Sequence, residues 1–145
     1  MTAKILIGLD GSEAGDRAGA FAKQLAALIG DCELIALFVI EWSPYSFQTA
    51  EENAERHKRR EAEIASAKDH VINPAINALK AEGFAARGMV KHGHVADLLN
   101  STAVSEGASQ IVVARSGERG LASRVFGTST AHLAMTSEVP VTIVG

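Results

Sequence analysis

Short apolar runs alternate along the whole chain with longer segments of helical periodicity. The runs are almost entirely apolar, which is typical of parallel strands covered on both faces. The segments between them place apolar residues three and four positions apart, as amphipathic helices do. This alternation predicts the order β-α-β-α-β-α-β-α-β and a parallel sheet. The predicted strands lie at about residues 4–9, 33–40, 85–90, 110–114 and 139–144.

The first predicted helix runs from Ser12, a good N-cap residue, to Gly30, which favours a helix end. Its apolar residues form one stripe, which we expect to face the sheet. The residues of that stripe are Ala18, Phe21, Ala22, Leu25, Leu28 and Ile29.

The second predicted helix spans about residues 51–82 and contains Pro74. Proline lacks a backbone N–H, so we expect a kink or a break near Asn73. The third helix covers about residues 94–106 and is closed by Gly107. A fourth helix is predicted to begin somewhere between Ser123 and Thr128.

Right-handed crossovers with helices on both faces produce a single open, doubly wound α/β sheet. Sheets of this kind bind ligands beyond the carboxyl ends of their strands. We therefore expect the functional site in the segments that follow the strands, at residues 10–12, 39–42, 91–94 and 114–120.

Composition and charge narrow the class of protein. The 145 residues are 47% hydrophobic and carry a net charge of −3, which predicts one folded domain over residues 1–145. The lysines and arginines are scattered, so we expect no nucleic-acid partner. No apolar run reaches the roughly 20 residues of a membrane span, and Cys32 has no partner for an internal disulfide. These features predict a cytoplasmic protein with no membrane association.

The two loops that open the first and fourth helices differ in charge. Glu13 and Asp16 occupy the positive end of the first helix, where they would repel a phosphate. The fourth helix is preceded by glycines, hydroxyls and arginines, which suit an anion. Residues 115–130 are therefore the predicted anion site.

The spacing in that segment is specific. Gly117 is followed by nine residues, then by Gly127 and Thr128, and Ala114 lies three residues before Gly117. The pattern resembles the nucleotide loop of the universal stress protein family, which reads Gly, two residues, Gly, nine residues, Gly, then Ser or Thr. Four further segments are similar to that family: Asp10-Gly11-Ser12, Phe38-Val39-Ile40, the turn at 90–93 before the third helix, and the final strand at 139–144.

The resemblance implies a Rossmann-like sheet, of the adenine nucleotide alpha hydrolase-like type, with strand order 3-2-1-4-5. It also implies that the protein binds ATP or another adenine nucleotide, with or without Mg²⁺, and regulates a stress response. The implied assembly is a homodimer whose two chains meet at residues 139–144. Asp10 would meet the ribose and Val39 would line the adenine pocket. The implied binding residues are Leu9, Asp10, Val39, Val113, Ala114, Gly117, Gly127, Thr128 and Ser129.

Several alternatives stay open at this point. Ala114 stands where the family has glycine, and its methyl group would crowd the sugar, so a dimeric interaction scaffold without nucleotide is the second hypothesis. A slow ATPase or autophosphorylating protein is the third, with Thr128, Ser129 or Thr130 as the acceptor. Asp10 alone could simply brace the turn into the first helix. The pair His92 and His94 makes a poor metal site, so we expect no metal centre.

Overall fold

The computed structural model describes residues 2–41, 50–115 and 121–145, and the side chains of these ranges except those of 121–128. Five strands form one sheet in the order β3-β2-β1-β4-β5, and all four neighbouring pairs are parallel. The predicted fold class and strand order are confirmed. The strands are β1 (Ala3–Leu9), β2 (Cys32–Glu41), β3 (Ala85–Gly93), β4 (Gln110–Ala114) and β5 (Val141–Val144).

Helices cover both faces of the sheet. Side chains of β1 alternate between the faces, because successive residues of a strand point to opposite sides. Ile5 and Ile7 belong to one core cluster with residues of α1 and α3, whereas Leu6 belongs to a second cluster with residues of α4 and α5. The helices are α1 (Glu13–Ile29), α2 (Ala50–Ala67), α3 (Asn73–Ala81), α4 (Val95–Glu106) and α5 (Leu121–Thr136).

The face that α1 turns to the sheet differs from the predicted stripe. Its buried residues are small and mostly four positions apart: Ala14, Gly15, Ala18, Ala22 and Ala26. Phe21 and Leu25 pack beside them, but Leu28 is 84% exposed and Ile29 is 45% exposed. The prediction was therefore wrong for Leu28 and Ile29. Alanine and glycine at the contact bring the helix axis close to the sheet, where larger side chains would hold it away.

The sequence predicts a kink or a break near Asn73, and the structure has a change of helix type there without an interruption of the helix. The α-helical pattern of α2 ends at Ala67, a single π-helical segment follows at Lys68–Ile72, and α3 then begins at Asn73. A wider turn before proline is expected because Pro74 has no N–H to donate and its ring crowds the preceding turn. Ile72 is buried at this junction, so the π segment packs against the core through this side chain.

Strand ends differ from the predicted ones at the edges of the sheet. β3 continues to Gly93, three residues beyond the predicted end, and its register places His92 beside Ile40 of β2. β5 begins at Val141 rather than at residue 139. Gly107 closes α4 with φ at +71°, a left-handed conformation that glycine adopts freely. In the described ranges, none of the helices has the length and apolar character needed to span a membrane.

Candidate functional site

A pocket of about 470 Å³ opens where β1, β2 and β4 end. This is the carboxyl edge of the sheet. It lies at the topological switch point, because β2 and β3 follow β1 on one side of the sheet, and β4 and β5 lie on the other. The starts of α1 and α4 and the side chains of Ser129 and Thr130 on α5 complete the wall. The fold thus places a cavity of ligand-binding size at the edge where the sequence predicts the site.

Six of the predicted binding residues line this pocket: Leu9, Asp10, Val39, Val113, Ala114 and Ser129. Gly117 lies outside the described residues. Gly127 and Thr128 lie within α5, but their side chains are outside the described part of the chain. The contact of any of these nine residues with a nucleotide therefore stays a prediction.

The pocket combines an apolar interior with polar groups around it. Val39, Leu99 and Val113 supply branched aliphatic side chains. Asp10 and Glu41 add carboxylates, and Ser129 and Thr130 add hydroxyls. Apolar walls with a few polar groups are typical of binding sites for small organic molecules.

Asp10 holds the turn between β1 and α1. Its Oδ1 accepts a hydrogen bond from the backbone N–H of Ser12 at 2.9 Å and a second from the Ser12 hydroxyl. Ser12 occupies the N-cap position of α1 with extended backbone angles, as predicted, but its side chain makes no capping bond to the helix. The bracing role considered for Asp10 is therefore present in the structure. Both bonds use one carboxylate oxygen, and a carboxylate has two acceptor oxygens.

Gly15 allows α1 to approach Asp10 closely. A Cβ at this position would lie 3.2 Å from Oδ1 and 3.3 Å from the backbone nitrogen of Asp10. It would also lie 3.4 Å from Cδ2 of Leu9. The absence of a side chain at Gly15 thus allows two pocket residues to lie against α1, and sequence reasoning assigned no role to this glycine.

Arg17 is a further residue near the site that sequence reasoning missed. Its Nη2 donates to the backbone carbonyl of Arg115 at 2.6 Å, and its Nε pairs with Glu13 at 3.2 Å. The first contact ties α1 to the residue that follows β4. The second offsets one of the two carboxylates at the start of α1. The signal in the sequence is the spacing of four between Glu13 and Arg17, which places the two side chains on one helix face.

The helix that carries Ser129 begins earlier than predicted. α5 starts at Leu121, whereas the sequence predicts a start between Ser123 and Thr128. Gly127 and Thr128 therefore lie inside the helix rather than in its first turn. The glycines of this segment led us to predict a longer loop and a later helix start. In the structure the helix begins directly after Gly120.

A second hollow of about 370 Å³ adjoins the pocket. It shares Glu41, Val95 and Ser129 with the pocket and adds His94, Asp97 and His132. Nε2 of His132 lies 3.9 Å from Oδ1 of Asp97. Nowhere in the described part of the chain do three or more histidine, cysteine or carboxylate side chains converge as metal ligands.

Comparison with known proteins gives one family and many similar structures. The model of the universal stress protein family matches residues 1–145. Curated protein sequences give no match. The universal stress protein UspA from Lactobacillus plantarum is 20% identical, with a TM-score of 0.81 over 99% of this chain and 97% of that one.

Two further similar structures contain a bound nucleotide. A universal stress protein in complex with cAMP is 24% identical, with a TM-score of 0.67 over 99% of this chain and 96% of that one. A universal stress protein family member from Arabidopsis thaliana with AMP bound is 17% identical, with a TM-score of 0.64 over 98% and 90% of the two chains.

These structures share the fold, and the family match extends over every residue of the sequence. The resemblance inferred from the loop spacing is confirmed at the level of the family. The chain belongs to the universal stress protein family.

Proposed function

We propose that this protein is a regulatory module that binds ATP or another adenine nucleotide in the pocket at the ends of β1, β2 and β4. The observation that carries the proposal is the lining of that pocket by six residues chosen from sequence alone. Relatives with the same fold bind cAMP and AMP, which have adenine, ribose and phosphate in common. The shared chemistry of the ligand is therefore an adenine nucleotide.

The described walls suit the two halves of a nucleoside. The aliphatic side chains of Val39, Leu99 and Val113 would contact the faces and edges of the adenine ring. The ribose hydroxyls would donate to Asp10, whose orientation is already fixed by Ser12. A preoriented acceptor loses little conformational freedom when the ligand binds, which favours affinity. Bracing the turn and binding the sugar are then two roles of one side chain.

The phosphates would lie toward α5, where Ser129 lines the pocket. We assign Gly117, Gly127 and Thr128 to the same phosphate site on their spacing in the sequence. Backbone N–H groups and hydroxyls replace the hydration of phosphate oxygens. Mg²⁺ prefers oxygen ligands and often binds through phosphates with one or two carboxylates, so Asp10 and Glu41 are the pocket residues that suit it.

The proposed assembly is a homodimer through residues 139–144. β5 lies at the end of the sheet order and pairs with β4 on one side. Ile143 on this strand is 43% exposed. An edge strand with an exposed apolar side chain is a ready surface for pairing with a second chain. We propose that the binding of nucleotide to this dimer regulates a stress response.

One observation favours the second candidate, a dimeric scaffold that does not bind nucleotide. Ala114 lines the pocket at the end of β4, where the family pattern has glycine. Its methyl group takes space beside the proposed sugar position. If this crowding prevents binding, the surfaces of the dimer would carry the function.

The two candidates are separated by measuring bound and added nucleotide. Freshly purified protein is denatured, the released small molecules are identified by mass spectrometry, and ATP and AMP are titrated into ligand-free protein by calorimetry. The proposal predicts a released adenine nucleotide or a measurable heat of binding. Absence of both, with ligand at millimolar concentration, would favour the scaffold.

Matched variants locate the binding. Asp10→Ala should weaken binding, because the ribose hydroxyls lose their acceptor. Asp69→Ala removes an exposed carboxylate of the π segment that does not line the pocket, and it should leave the affinity unchanged. Ala114→Gly should tighten binding if the methyl group crowds the sugar. Equal affinities for all three variants and the wild type would show that the site is misplaced.

A further inference from the structure

The hollow beside the nucleotide pocket has the chemistry of a second ligand subsite. Its volume of about 370 Å³ falls within the range of small-molecule sites. It shares Glu41, Val95 and Ser129 with the pocket, so the two cavities share a wall rather than lying on separate faces. A ligand that passes this wall would occupy both.

The added wall is formed by polar side chains that a ligand can reach. Asp97 lies in the first turn of α4 and is 70% exposed, and His132 on α5 is 58% exposed. The 3.9 Å between their nearest atoms exceeds a hydrogen-bond distance. The two side chains are therefore within ion-pair distance and too close to hold an atom between them, so a hydroxyl group in the hollow would contact both from one side. His94 lines the same hollow.

The charge of the hollow limits what it can hold. Without a bound cation the carboxylates of Glu41 and Asp97 repel a phosphate, and both accept hydrogen bonds from hydroxyl groups. Imidazole nitrogens and the Ser129 hydroxyl complement a polyhydroxylated group in the same way. The hollow is therefore suited to a sugar rather than to further phosphates.

We propose that this hollow, formed by Glu41, His94, Asp97 and His132 beside the nucleotide pocket, binds a second sugar attached beyond the phosphates of an adenine nucleotide. The ligand class is that of ADP-ribose and the nicotinamide adenine dinucleotides. This inference rests on the proposed nucleotide function and extends it to the part of the ligand that AMP lacks. Asp97 and His132 are the residues that distinguish a dinucleotide-like ligand from a mononucleotide.

The test compares two ligands that differ by the terminal sugar. ADP and ADP-ribose are titrated separately into ligand-free protein by calorimetry. We expect ADP-ribose to bind about tenfold more tightly, which corresponds to about 1.4 kcal/mol. Asp97→Ala and His132→Ala should abolish this preference and leave the affinity for ADP within twofold. Asp69→Ala, an exposed carboxylate outside both cavities, should retain the preference.

The outcomes separate the two proposals. If ADP binds and ADP-ribose binds no better, the second subsite is wrong and the nucleotide site stands. If the preference exists but survives Asp97→Ala and His132→Ala, the sugar binds elsewhere and the inference is overturned. If neither ligand binds, the proposed function fails and this inference fails with it. Both side chains are largely exposed, so the variants are expected to fold, and their thermal unfolding midpoints check this.

Discussion

Two glycines one turn apart in α1 provide a matched test of the site geometry. Gly15 lies against Asp10, whereas a Cβ at Gly19 would have no atom within 4 Å. Replacing a glycine inside a helix by alanine stabilises it by about 0.8–1 kcal/mol in the absence of clashes. Gly19→Ala should therefore raise the free energy of unfolding by about that amount. In a chain of this length, 1 kcal/mol shifts the midpoint by about 2–4 °C.

The same change at Gly15 has an opposing contribution. The new Cβ would lie 3.2 Å from Oδ1 and 3.3 Å from the nitrogen of Asp10, inside the roughly 3.5–4.0 Å of ordinary contacts. Overpacking of this kind costs about 1–3 kcal/mol. The helix gain is therefore offset or exceeded, and Gly15→Ala should unfold at a temperature several degrees below that of Gly19→Ala.

The variants should also differ in ligand binding. Displacement of Asp10 moves the proposed ribose acceptor, so Gly15→Ala should weaken binding of AMP while Gly19→Ala leaves it unchanged. Urea denaturation gives the free energies of unfolding, and calorimetric titration gives the affinities. Equal stabilisation by both substitutions would refute the close contact between α1 and Asp10. Equal affinities would refute the role of that contact in the site.

Three further perturbations test other parts of the structure. Gly88→Ala places a Cβ against Cγ2 of buried Ile72, so it should lower the free energy of unfolding by about 1–3 kcal/mol. Urea denaturation measures this, and an unchanged midpoint would argue against the packing of Ile72 on Gly88. The hydrogen bond from Arg87 holds the pKa of Glu106 below its ordinary value of 4.5. Its contribution to stability is present above that value and is lost as the pH falls through the lower folded-state pKa. In Glu106→Gln the free energy of unfolding should therefore fall less steeply as the pH is lowered. Equal slopes for the variant and the wild type would contradict a stabilising pair between Arg87 and Glu106. Ile143→Asp should shift the sedimentation profile toward monomer, and an unchanged profile would exclude the β5 interface.

The sheet was predictable because buried parallel strands are continuous apolar runs. β1 and β4 show this most clearly, since their central residues are shielded by helices on both faces. β3 was predicted too short because Lys91 and His92, near its end, are polar. Lys91 nevertheless stays in the strand, where its ammonium group donates to the hydroxyl of buried Thr102 at 2.8 Å. A polar residue with a buried partner looks like a loop residue in the sequence.

Helix faces and fine contacts were harder to predict. Hydrophobicity favoured Leu28 on the inner face of α1, whereas close approach to the sheet selects small residues such as Ala14 and Gly15. The pocket residues Asp10 and Val39 were identified by motif and strand position. His132 was missed because nothing in its own segment marks it, and its proximity to Asp97 arises only when α4 and α5 pack together.

The central claim is that an adenine nucleotide occupies the pocket at the carboxyl edge of the sheet. Backbone amide NMR spectra recorded during a titration with AMP test it most directly, because they locate the ligand as well as detect it. The account predicts the largest shift changes around Asp10, Val39 and Ala114, with smaller changes along the outer faces of α1 and α3. Saturating shift changes centred on another surface, or none at millimolar AMP, would contradict it.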